Sequence, residues 1–395
     1  MTTPSPLLMI PGPVELSPAV RAAAALPPPS HTSPRLIEAF GRSIERMREV
    51  WRADAASQPF IVAGSGTLAM DTVAANLMAP GERAVVVKTG YFSDRMVTIL
   101  LRWGVEVVEV SSVVGGAPPA VEVQKALERS GRVRALFATH VDTSTGVRLD
   151  PEPLCRLARE AGVLSVIDGV CATAGERFAM ADWGADVYFT ASQKAIGLPP
   201  GLALMVASER ALAARAARPG TPPPLFLDWD SWLPIHRAYE ERKPSYFATP
   251  ATSLVMALET GLGEILDEGI EARVETHARA AAAMRSAWRA LDLRPVPRSE
   301  ALTANTLSAL NVPAGIDPAI PARVAAHGVT IAGGLHPAIK NSSFRVGHMG
   351  YAVTRPDFLR RTVEAVAVAL REAGAEVDPE AALEAVDREM ETTRV

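Results

Sequence analysis

Short apolar runs alternate with amphipathic stretches of helical length between residues 60 and 207, and this pattern constrains the fold most strongly. Strands separated by helices need crossover connections, which give a mostly parallel sheet with helices on both faces. The pattern therefore predicts an α/β fold with a doubly wound, mostly parallel, seven-stranded sheet. The predicted strands are 60–63, 84–88, 105–110, 135–139, 164–168, 187–190 and 202–207. The predicted helices between them are 66–79, 91–103, 119–130 and 151–161.

A chain of 395 residues exceeds one ordinary hydrophobic core, so we expect two domains. The predicted division is a large domain at 1–258, whose N-terminal segment contributes to the active site, and a smaller α+β domain at 259–395. A long helical stretch over about 251–291 is predicted to bridge them. The remaining predicted features are a surface excursion at 219–232, strands at 305–312, 328–332 and 343–347, helices at 317–327 and 355–373, and an exposed charged helix at 379–391.

Composition excludes several classes of protein. A net charge of −4 and a pI near 6.0 give no electrostatic basis for binding nucleic acid or an anionic membrane. No apolar stretch approaches the roughly 20 residues that span a bilayer, and the N-terminus lacks the features of a signal peptide. Two cysteines, Cys155 and Cys171, make neither a disulfide framework nor a metal cluster. We therefore expect a cytoplasmic protein without a metal site.

Lysine is rare in this chain, because thirty-five of its forty basic residues are arginine. Lys194 lies four residues after the end of the predicted strand 187–190, in the sequence Thr-Ala-Ser-Gln-Lys-Ala at 190–195. An amine at the end of a buried strand can lose its proton and attack a carbonyl, whereas a guanidinium with a pKa above about 12 cannot. A single lysine after a strand is usually a solvated surface residue, so this interpretation depends on its neighbours.

Asp168 ends the predicted strand 164–168, at the edge of the sheet where Lys194 is also expected. A lysine and an acid at the ends of successive strands suit pyridoxal phosphate. The lysine forms the Schiff base, and the acid keeps the pyridine nitrogen protonated. A single aspartate in this position is more often a turn or helix cap, so the pair is more informative than either residue.

Upstream segments supply candidates for the phosphate and the ring. Gly64-Ser65-Gly66-Thr67 follows a strand and opens a helix, where free N–H groups and hydroxyls can bind an anion, although a plain tight turn is as common. Tyr91 and Phe92 follow the next strand, either to stack on a flat ring or to pack in the core. The hydroxyls of the polar loop 139–146 could bond the ring oxygen, while its His140 could equally be a buried structural histidine.

Together these motifs resemble class V of the fold-type I pyridoxal phosphate enzymes, most closely the alanine–glyoxylate / serine–pyruvate aminotransferase group. The resemblance covers nearly the whole chain. Its motifs, in order, are Pro11-Gly12-Pro13, Gly64-Ser65-Gly66, Ser144-Thr145-Gly146, Val166-Ile167-Asp168, Ser192-Gln193-Lys194 with Pro199-Pro200-Gly201, and Phe344-Arg345-Val346-Gly347. The fold that it implies is a large pyridoxal phosphate-binding domain with a smaller C-terminal domain.

The resemblance also implies roles for individual residues. Lys194 would form the Schiff base and transfer the substrate proton, and Asp168 would pair with the pyridine nitrogen. Val170 would pack on one face of the ring, and Phe92 stands where the family usually stacks a tryptophan.

The resemblance assigns further residues to the phosphate, the substrate and a second subunit. The phosphate and the ring hydroxyl would be held by Ser65, Gly66, Thr67, Gln193 and Thr143. Arg345 would bind the substrate carboxylate through its two-pronged guanidinium. Tyr246 and Thr249 match residues that reach the phosphate of the neighbouring subunit, which implies a homodimer with shared active sites.

The chain departs from the family pattern at two places. Thr67 stands where the family often has histidine, and Phe247-Ala248 stands where it often has two histidines. Both departures lie near the phosphate and the substrate entrance, so they bear on the substrate more than on the cofactor.

The predicted function is a ping-pong transaminase that moves an amino group from alanine or serine to glyoxylate or pyruvate. Related class V enzymes act on ureidoglycine, aminoethylphosphonate or pyridoxamine, and these substrates stay open as alternatives. A desulfurase is disfavoured, because Gln193 rather than histidine precedes Lys194 and no cysteine follows Cys171. A non-catalytic partner-binding subunit is a further alternative, which the intact Lys194, Asp168 and Arg345 disfavour.

Overall fold

The computed structural model describes residues 5–391 of the chain. Its strands, in chain order, are β1 (Leu7–Leu8), β2 (Gln58–Ala63), β3 (Arg83–Lys88), β4 (Glu106–Ser111), β5 (Val133–Thr139), β6 (Val141–Asp142), β7 (Val147–Arg148), β8 (Leu164–Asp168), β9 (Val187–Ala191), β10 (Leu202–Ala207), β11 (Leu307–Asn311), β12 (Val329–Thr330), β13 (Ala332–Gly333) and β14 (Ser343–Gly347). Its α-helices are α1 (Pro18–Ala24), α2 (Pro34–Trp51), α3 (Gly66–Leu77), α4 (Tyr91–Arg102), α5 (Ala120–Arg129), α6 (Pro151–Glu160), α7 (Met180–Trp183), α8 (Glu209–Ala216), α9 (Trp229–Glu240), α10 (Thr252–Glu268), α11 (Ile270–Ala290), α12 (Ile320–Ala326), α13 (Pro356–Glu372) and α14 (Pro379–Glu391).

The central sheet has seven strands in the order β2-β10-β9-β8-β5-β3-β4. Strand β10 is antiparallel to both of its neighbours, and the other neighbouring pairs are parallel. Side chains alternate between the two faces: in β5, Leu136 and Ala138 belong to one buried cluster, and Ala135 and Phe137 to the other. The predicted seven-stranded, mostly parallel sheet is confirmed.

Local sequence signals explain several helix boundaries. Helix α2 begins at Pro34, and the Ser33 side chain accepts a hydrogen bond from the Leu36 amide. Helix α6 begins in the same way after Asp150, which caps the Glu152 amide. The four helices predicted between strands correspond to α3, α4, α5 and α6, and their ends differ from prediction by at most two residues.

The segment after the Pro-rich stretch is not a surface excursion along its whole length, so that prediction is wrong from residue 229 onward. Trp229 opens helix α9 and is buried, with its ring stacked on Phe60 at 5.2 Å. His236 of the same helix accepts a hydrogen bond from the Ile61 amide at 2.8 Å. These contacts join residues far apart in sequence, which is why periodicity and Pro content did not indicate them.

The predicted helical stretch over about 251–291 forms two helices, α10 and α11, which are separated at Gly269. This residue has φ 86°, a left-handed backbone conformation that ends α10 and lets α11 start in another direction. Residues Val255 to Ile265 of α10 pack with the central sheet, whereas Ala280 to Trp288 of α11 pack with the C-terminal strands. The domain boundary at 258/259 stays a prediction.

The C-terminal part contains a three-stranded antiparallel sheet in the order β11-β14-β13, with α11 and α13 contributing to its buried cluster. Helix α14 forms as predicted, but Ala382 and Val386 are buried in that cluster, so the helix is not wholly exposed. None of the helices within residues 5–391 has the length and apolar character needed to cross a membrane. The cytoplasmic location stays a prediction.

The N-terminal segment links the C-terminal sheet to the central one. Strand β1 pairs in parallel with β12, and Gly347 of β14 donates its amide hydrogen to the Met9 carbonyl at 2.7 Å. A Cβ atom on Gly347 would lie 2.1 Å from the Ile10 carbonyl oxygen, closer than atoms of real side chains approach. Glycine at this position therefore permits the close approach of the two backbones.

We predict that Gly347→Ala lowers the free energy of unfolding by about 1–3 kcal/mol, because the new methyl group forces the two backbones apart. Gly333→Ala is the matched control in the same sheet, since a Cβ atom there meets no atom within 4 Å. We expect it to change stability by less than about 0.5 kcal/mol. Denaturant unfolding followed by tryptophan fluorescence measures both variants, and equal losses would contradict the packing argument.

Candidate active site

A cavity of about 190 Å³ lies at the carboxyl ends of the central strands, where a doubly wound sheet places ligands. Nine of the eleven residues predicted to bind a cofactor line this cavity. These nine are Ser65, Gly66, Thr67, Phe92, Thr143, Asp168, Val170, Gln193 and Lys194. A larger cavity of about 260 Å³ beside Arg285 and Trp288 is lined by none of them, so the kinds of side chain, not size, identify the site.

Lys194 lies in the turn after β9, and its Nζ donates a hydrogen bond to the Pro11 carbonyl. A Cβ atom at Gly12 would lie 2.6 Å from Lys194 Cδ. Glycine at position 12 therefore lets the N-terminal segment lie close against the lysine. Burial lowers the pKa of Lys194, the positive charge of Arg345 lowers it further, and the Asp168 carboxylate opposes both effects. The amine therefore loses its proton more easily than a surface lysine does.

Asp168 ends β8 and is buried, with its Oδ1 accepting a hydrogen bond from the Val170 amide at 2.9 Å. Burial raises the pKa of Asp168 to about 7, the main opposing effect being that hydrogen bond. A cationic ring nitrogen facing this carboxyl would stabilise its ionised form, because attraction to an opposite charge offsets the cost of burying the carboxylate. The position thus fits the acid that a pyridine ring requires.

The end of the cavity at helix α3 fits a phosphate. Ser65 is the N-cap residue of α3, yet its side chain caps no amide of the helix, so the hydroxyl is available to a ligand. A Cβ atom at Gly66 would lie 2.9 Å from Val170 Cγ2, so a larger residue would intrude there. The Oε1 atom of Gln193 is buried without a hydrogen-bond partner among residues 5–391. An unpaired buried polar atom in a cavity points to a missing ligand group.

The side of the cavity near Phe92 is organised by Asp142. This buried carboxylate accepts hydrogen bonds from the Phe92 amide at 3.0 Å and from the Ser144 hydroxyl at 2.6 Å. The Thr145 hydroxyl donates to the Thr89 carbonyl at 2.9 Å. Two of the loop hydroxyls that were candidates for the ring oxygen are therefore already used within the protein.

Two other open questions from the sequence have structural answers. His140 is buried, its Nδ1 lies 3.0 Å from the Tyr188 hydroxyl, and burial lowers its pKa to about 3. The structural interpretation of this histidine is therefore favoured. Phe247 packs edge-on against Trp232 at 4.9 Å between ring centroids, so this residue contributes to the core and does not line the cavity.

Arg345, Tyr246 and Thr249 do not line the cavity in this chain. Arg345 lies at its border, where Nη1 donates to the Thr143 carbonyl at 3.2 Å and Nε donates to the Gly333 carbonyl at 2.8 Å. Among residues 5–391 it has no carboxylate partner. Tyr246 is 62% exposed, and Thr249 is exposed as well.

Four further residues line the cavity that the sequence did not indicate, namely Met70, Arg95, Val141 and Cys171. Two of them could have been found from spacing. Arg95 lies one helical turn after Phe92 and so shares its helix face, and Cys171 follows Val170 directly. Burial raises the pKa of Cys171 to about 11, so this side chain is a thiol at neutral pH.

A buried lysine and a buried carboxyl that line one cavity, beside a helix end open to an anion, are the arrangement expected of a pyridoxal phosphate enzyme. The family model for class V aminotransferases matches residues 29–359 of this chain. The chain therefore belongs to the class V aminotransferase family, whose members use pyridoxal phosphate, and it is a transaminase.

Individual relatives agree with this assignment. Alanine–glyoxylate aminotransferase 1 of Saccharomyces cerevisiae is 37% identical over 89% of this chain and 93% of its own length. L-Aspartate–glyoxylate aminotransferase of Paracoccus denitrificans is 30% identical over 89% and 87%. The crystal structure of an alanine–glyoxylate aminotransferase from Nostoc sp. superposes with a TM-score of 0.86 at 28% identity, over 94% of this chain and 97% of that one. The fold implied by the resemblance is confirmed.

We predict that Asp168→Asn removes a pH-dependent loss of stability from the cofactor-free protein. Between about pH 4 and the pKa of about 7, the unfolded carboxyl ionises while the folded one keeps its proton. Stability should therefore fall by about 1.4 kcal/mol for each pH unit in that window, and Asn should abolish this contribution. Denaturant unfolding at pH 5 and pH 7 gives the free energy of unfolding of the unaltered protein and of the Asn variant. If the difference between the two proteins is the same at both pH values, the raised pKa is contradicted.

Proposed function

We propose that this transaminase uses pyridoxal phosphate to move an amino group from L-alanine or L-serine to glyoxylate or pyruvate. The observation that carries the proposal is the pairing of Lys194, whose pKa is lowered, with Asp168 across one cavity bordered by Arg345. Glyoxylate appears in the names of both the yeast and the Paracoccus relative, which supports it as the acceptor. Alanine is supported as donor by the relative with 37% identity.

Pyridoxal phosphate, when bound, supplies an aldehyde carbon and a ring that withdraws electrons from the substrate. Ser65, Gly66 and Gln193 would hold its phosphate, because they carry free polar groups at the end of α3. Asp168 would hold the proton on the ring nitrogen, and Val170 and Phe92 would contact the ring faces.

The protein groups that handle the substrate follow from the same geometry. Arg345 would bind the carboxylate of the amino acid, since its guanidinium has no competing carboxylate in the described chain. The unprotonated Lys194 amine would take the proton from the substrate α-carbon and deliver it to the cofactor. Release of an oxo acid and the reverse sequence with glyoxylate complete two half-reactions, so ping-pong kinetics follow.

The half-reaction with a single donor tests this function. Purified protein loaded with pyridoxal phosphate is mixed with L-alanine, L-serine, L-aspartate or another amine alone, and the oxo acid formed is measured. We expect one equivalent of oxo acid per site from alanine or serine, a matching change in visible absorbance, and amino-group transfer when glyoxylate is added.

Lys194→Ala should abolish oxo-acid formation, because no other amine of the described cavity lining can transfer the proton. Lys340→Ala, at an exposed lysine, is the control and should react as the unaltered protein does. Failure of every donor to yield an oxo acid would refute the transaminase mechanism, whereas reaction with aspartate alone would reassign the donor.

We also propose that the protein is a homodimer with shared active sites. Tyr246 and Thr249 are exposed and lie outside the cavity of their own chain, so their side chains are accessible to the site of a second copy. Leu225 and Phe226 are exposed apolar side chains, 69% and 42% exposed, which a subunit contact would cover.

Mixing two inactive variants tests the sharing of sites. Lys194→Ala and Tyr246→Ala each damage both sites of their own dimer, but a mixed dimer would contain one undamaged site. Random exchange of subunits should therefore restore about a quarter of full activity. Light scattering gives the oligomeric state in parallel. A monomer, or a dimer whose mixture recovers no activity, would contradict shared sites.

A further inference from the structure

We infer that Arg95 binds the phosphate of the cofactor and supplies the positive charge at that end of the cavity. This inference rests on the proposed use of pyridoxal phosphate, and it concerns a residue that the family resemblance did not assign.

The position of Arg95 is fixed by several contacts. Its Nη1 donates to the Thr67 hydroxyl at 2.8 Å, and its Nη2 donates to the Tyr91 hydroxyl at 3.2 Å. The centre of the guanidinium lies 5.0 Å from the Tyr91 ring and 5.1 Å from the Phe92 ring, within the range of cation–π attraction. The guanidinium is therefore held in one orientation beside the first turn of α3.

Arg95 has no paired carboxylate within the described chain, although its positive charge acts on the buried Asp168 carboxyl and opposes the rise in its pKa. Both of its hydrogen-bond acceptors are hydroxyls, and no salt bridge joins it to a carboxylate of residues 5–391. Lys88 of the preceding strand differs in this respect, because it contacts both Asp94 and Glu109. A partly buried guanidinium that lines a cavity without a counterion favours binding of an anion there.

The anion is the phosphate and not the substrate carboxylate, because the two free arginines lie at different ends of the site. Arg95 contacts Thr67, in the first turn of α3, whose free amides already favour a phosphate. Arg345 contacts Thr143, and its charge acts on Lys194, where the substrate reacts. A phosphate has three acceptor oxygens, which suits both the helix end and a planar guanidinium.

The departure at position 67 fits the same arrangement. The family often has histidine there, and this chain has a threonine whose hydroxyl accepts a hydrogen bond from Arg95. The hydroxyl is thereby oriented, and a positive charge is present near position 67 although the side chain at that position is neutral.

A competing explanation is that Arg95 only orients the Tyr91 and Phe92 rings. The two explanations predict different losses of binding affinity. Loss of a phosphate contact weakens binding of a phosphorylated ligand only. Loss of ring orientation weakens binding equally for ligands with and without the phosphate. Pyridoxamine 5′-phosphate and pyridoxamine are suitable probes, because their amines cannot form a Schiff base with Lys194.

Calorimetric titration of the cofactor-free full-length protein with both probes decides between them. We expect Arg95→Gln to raise the Kd of pyridoxamine 5′-phosphate about tenfold to a hundredfold and to change that of pyridoxamine by less than about twofold. Arg95→Lys should lose less affinity for pyridoxamine 5′-phosphate, since lysine keeps the positive charge but lacks the planar guanidinium. Phe92→Leu should weaken both ligands alike, and Arg102→Gln, at an exposed arginine of the same helix, should weaken neither.

Equal weakening of both probes by Arg95→Gln would overturn the inference and leave a role in ring orientation. Unchanged binding of both would overturn any role in the site. A second measurement covers a poorly folded Gln variant: inorganic phosphate should raise the thermal midpoint of the unaltered protein and of Arg95→Lys, and an equal rise in Arg95→Gln would again contradict the inference. Failure of the unaltered protein to bind pyridoxamine 5′-phosphate would instead refute the proposed cofactor.

Discussion

The active site depends on the parallel register of β5, β8 and β9. Hydrogen bonding between these strands sets Thr139 beside Asp168 and Asp168 beside Phe189, so β5 and β8 end at one level and β9 continues for two more residues, to Ala191. Lys194 follows a short turn after β9 and reaches the same edge. A shift of one residue in this register would turn Asp168 to the opposite face of the sheet, and the acid and the lysine would no longer meet.

Features that depend on local sequence could be predicted without the structure. The seven strands and four crossover helices follow from periodicity, and the rule that parallel strands share a carboxyl edge brings Asp168 and Lys194 together. Arg95 also follows from local geometry, since it lies one turn after Phe92, but a charged residue on a helix is ordinary until its surroundings are known. Its missing counterion is visible only in three dimensions.

The incorrect predictions concern contacts between distant parts of the chain. Trp229 belongs to a segment that reads as a loop, yet it is buried because Phe60 offers a stacking surface. The break at Gly269, by contrast, has a local signal in the glycine itself, and it separates α10 from α11, which pack in different hydrophobic clusters. Propensity describes each residue with its neighbours, so it cannot express which of two cores a helix will join.

The N-terminal segment contacts both the strand that carries Arg345 and the Lys194 side chain. The amide of Gly347, which lies two residues after Arg345 in β14, donates a hydrogen bond to the Met9 carbonyl. Two residues after Met9, the Pro11 carbonyl accepts a hydrogen bond from Lys194. The C-terminal sheet therefore carries Arg345 and also sets the position of the backbone group that holds the lysine in the absence of cofactor. Gly347 brings β14 and the segment into close backbone contact, since a Cβ atom there would lie 2.1 Å from the Ile10 carbonyl oxygen. The strand that carries Arg345 and the backbone group that contacts Lys194 are therefore joined through residues 9–11.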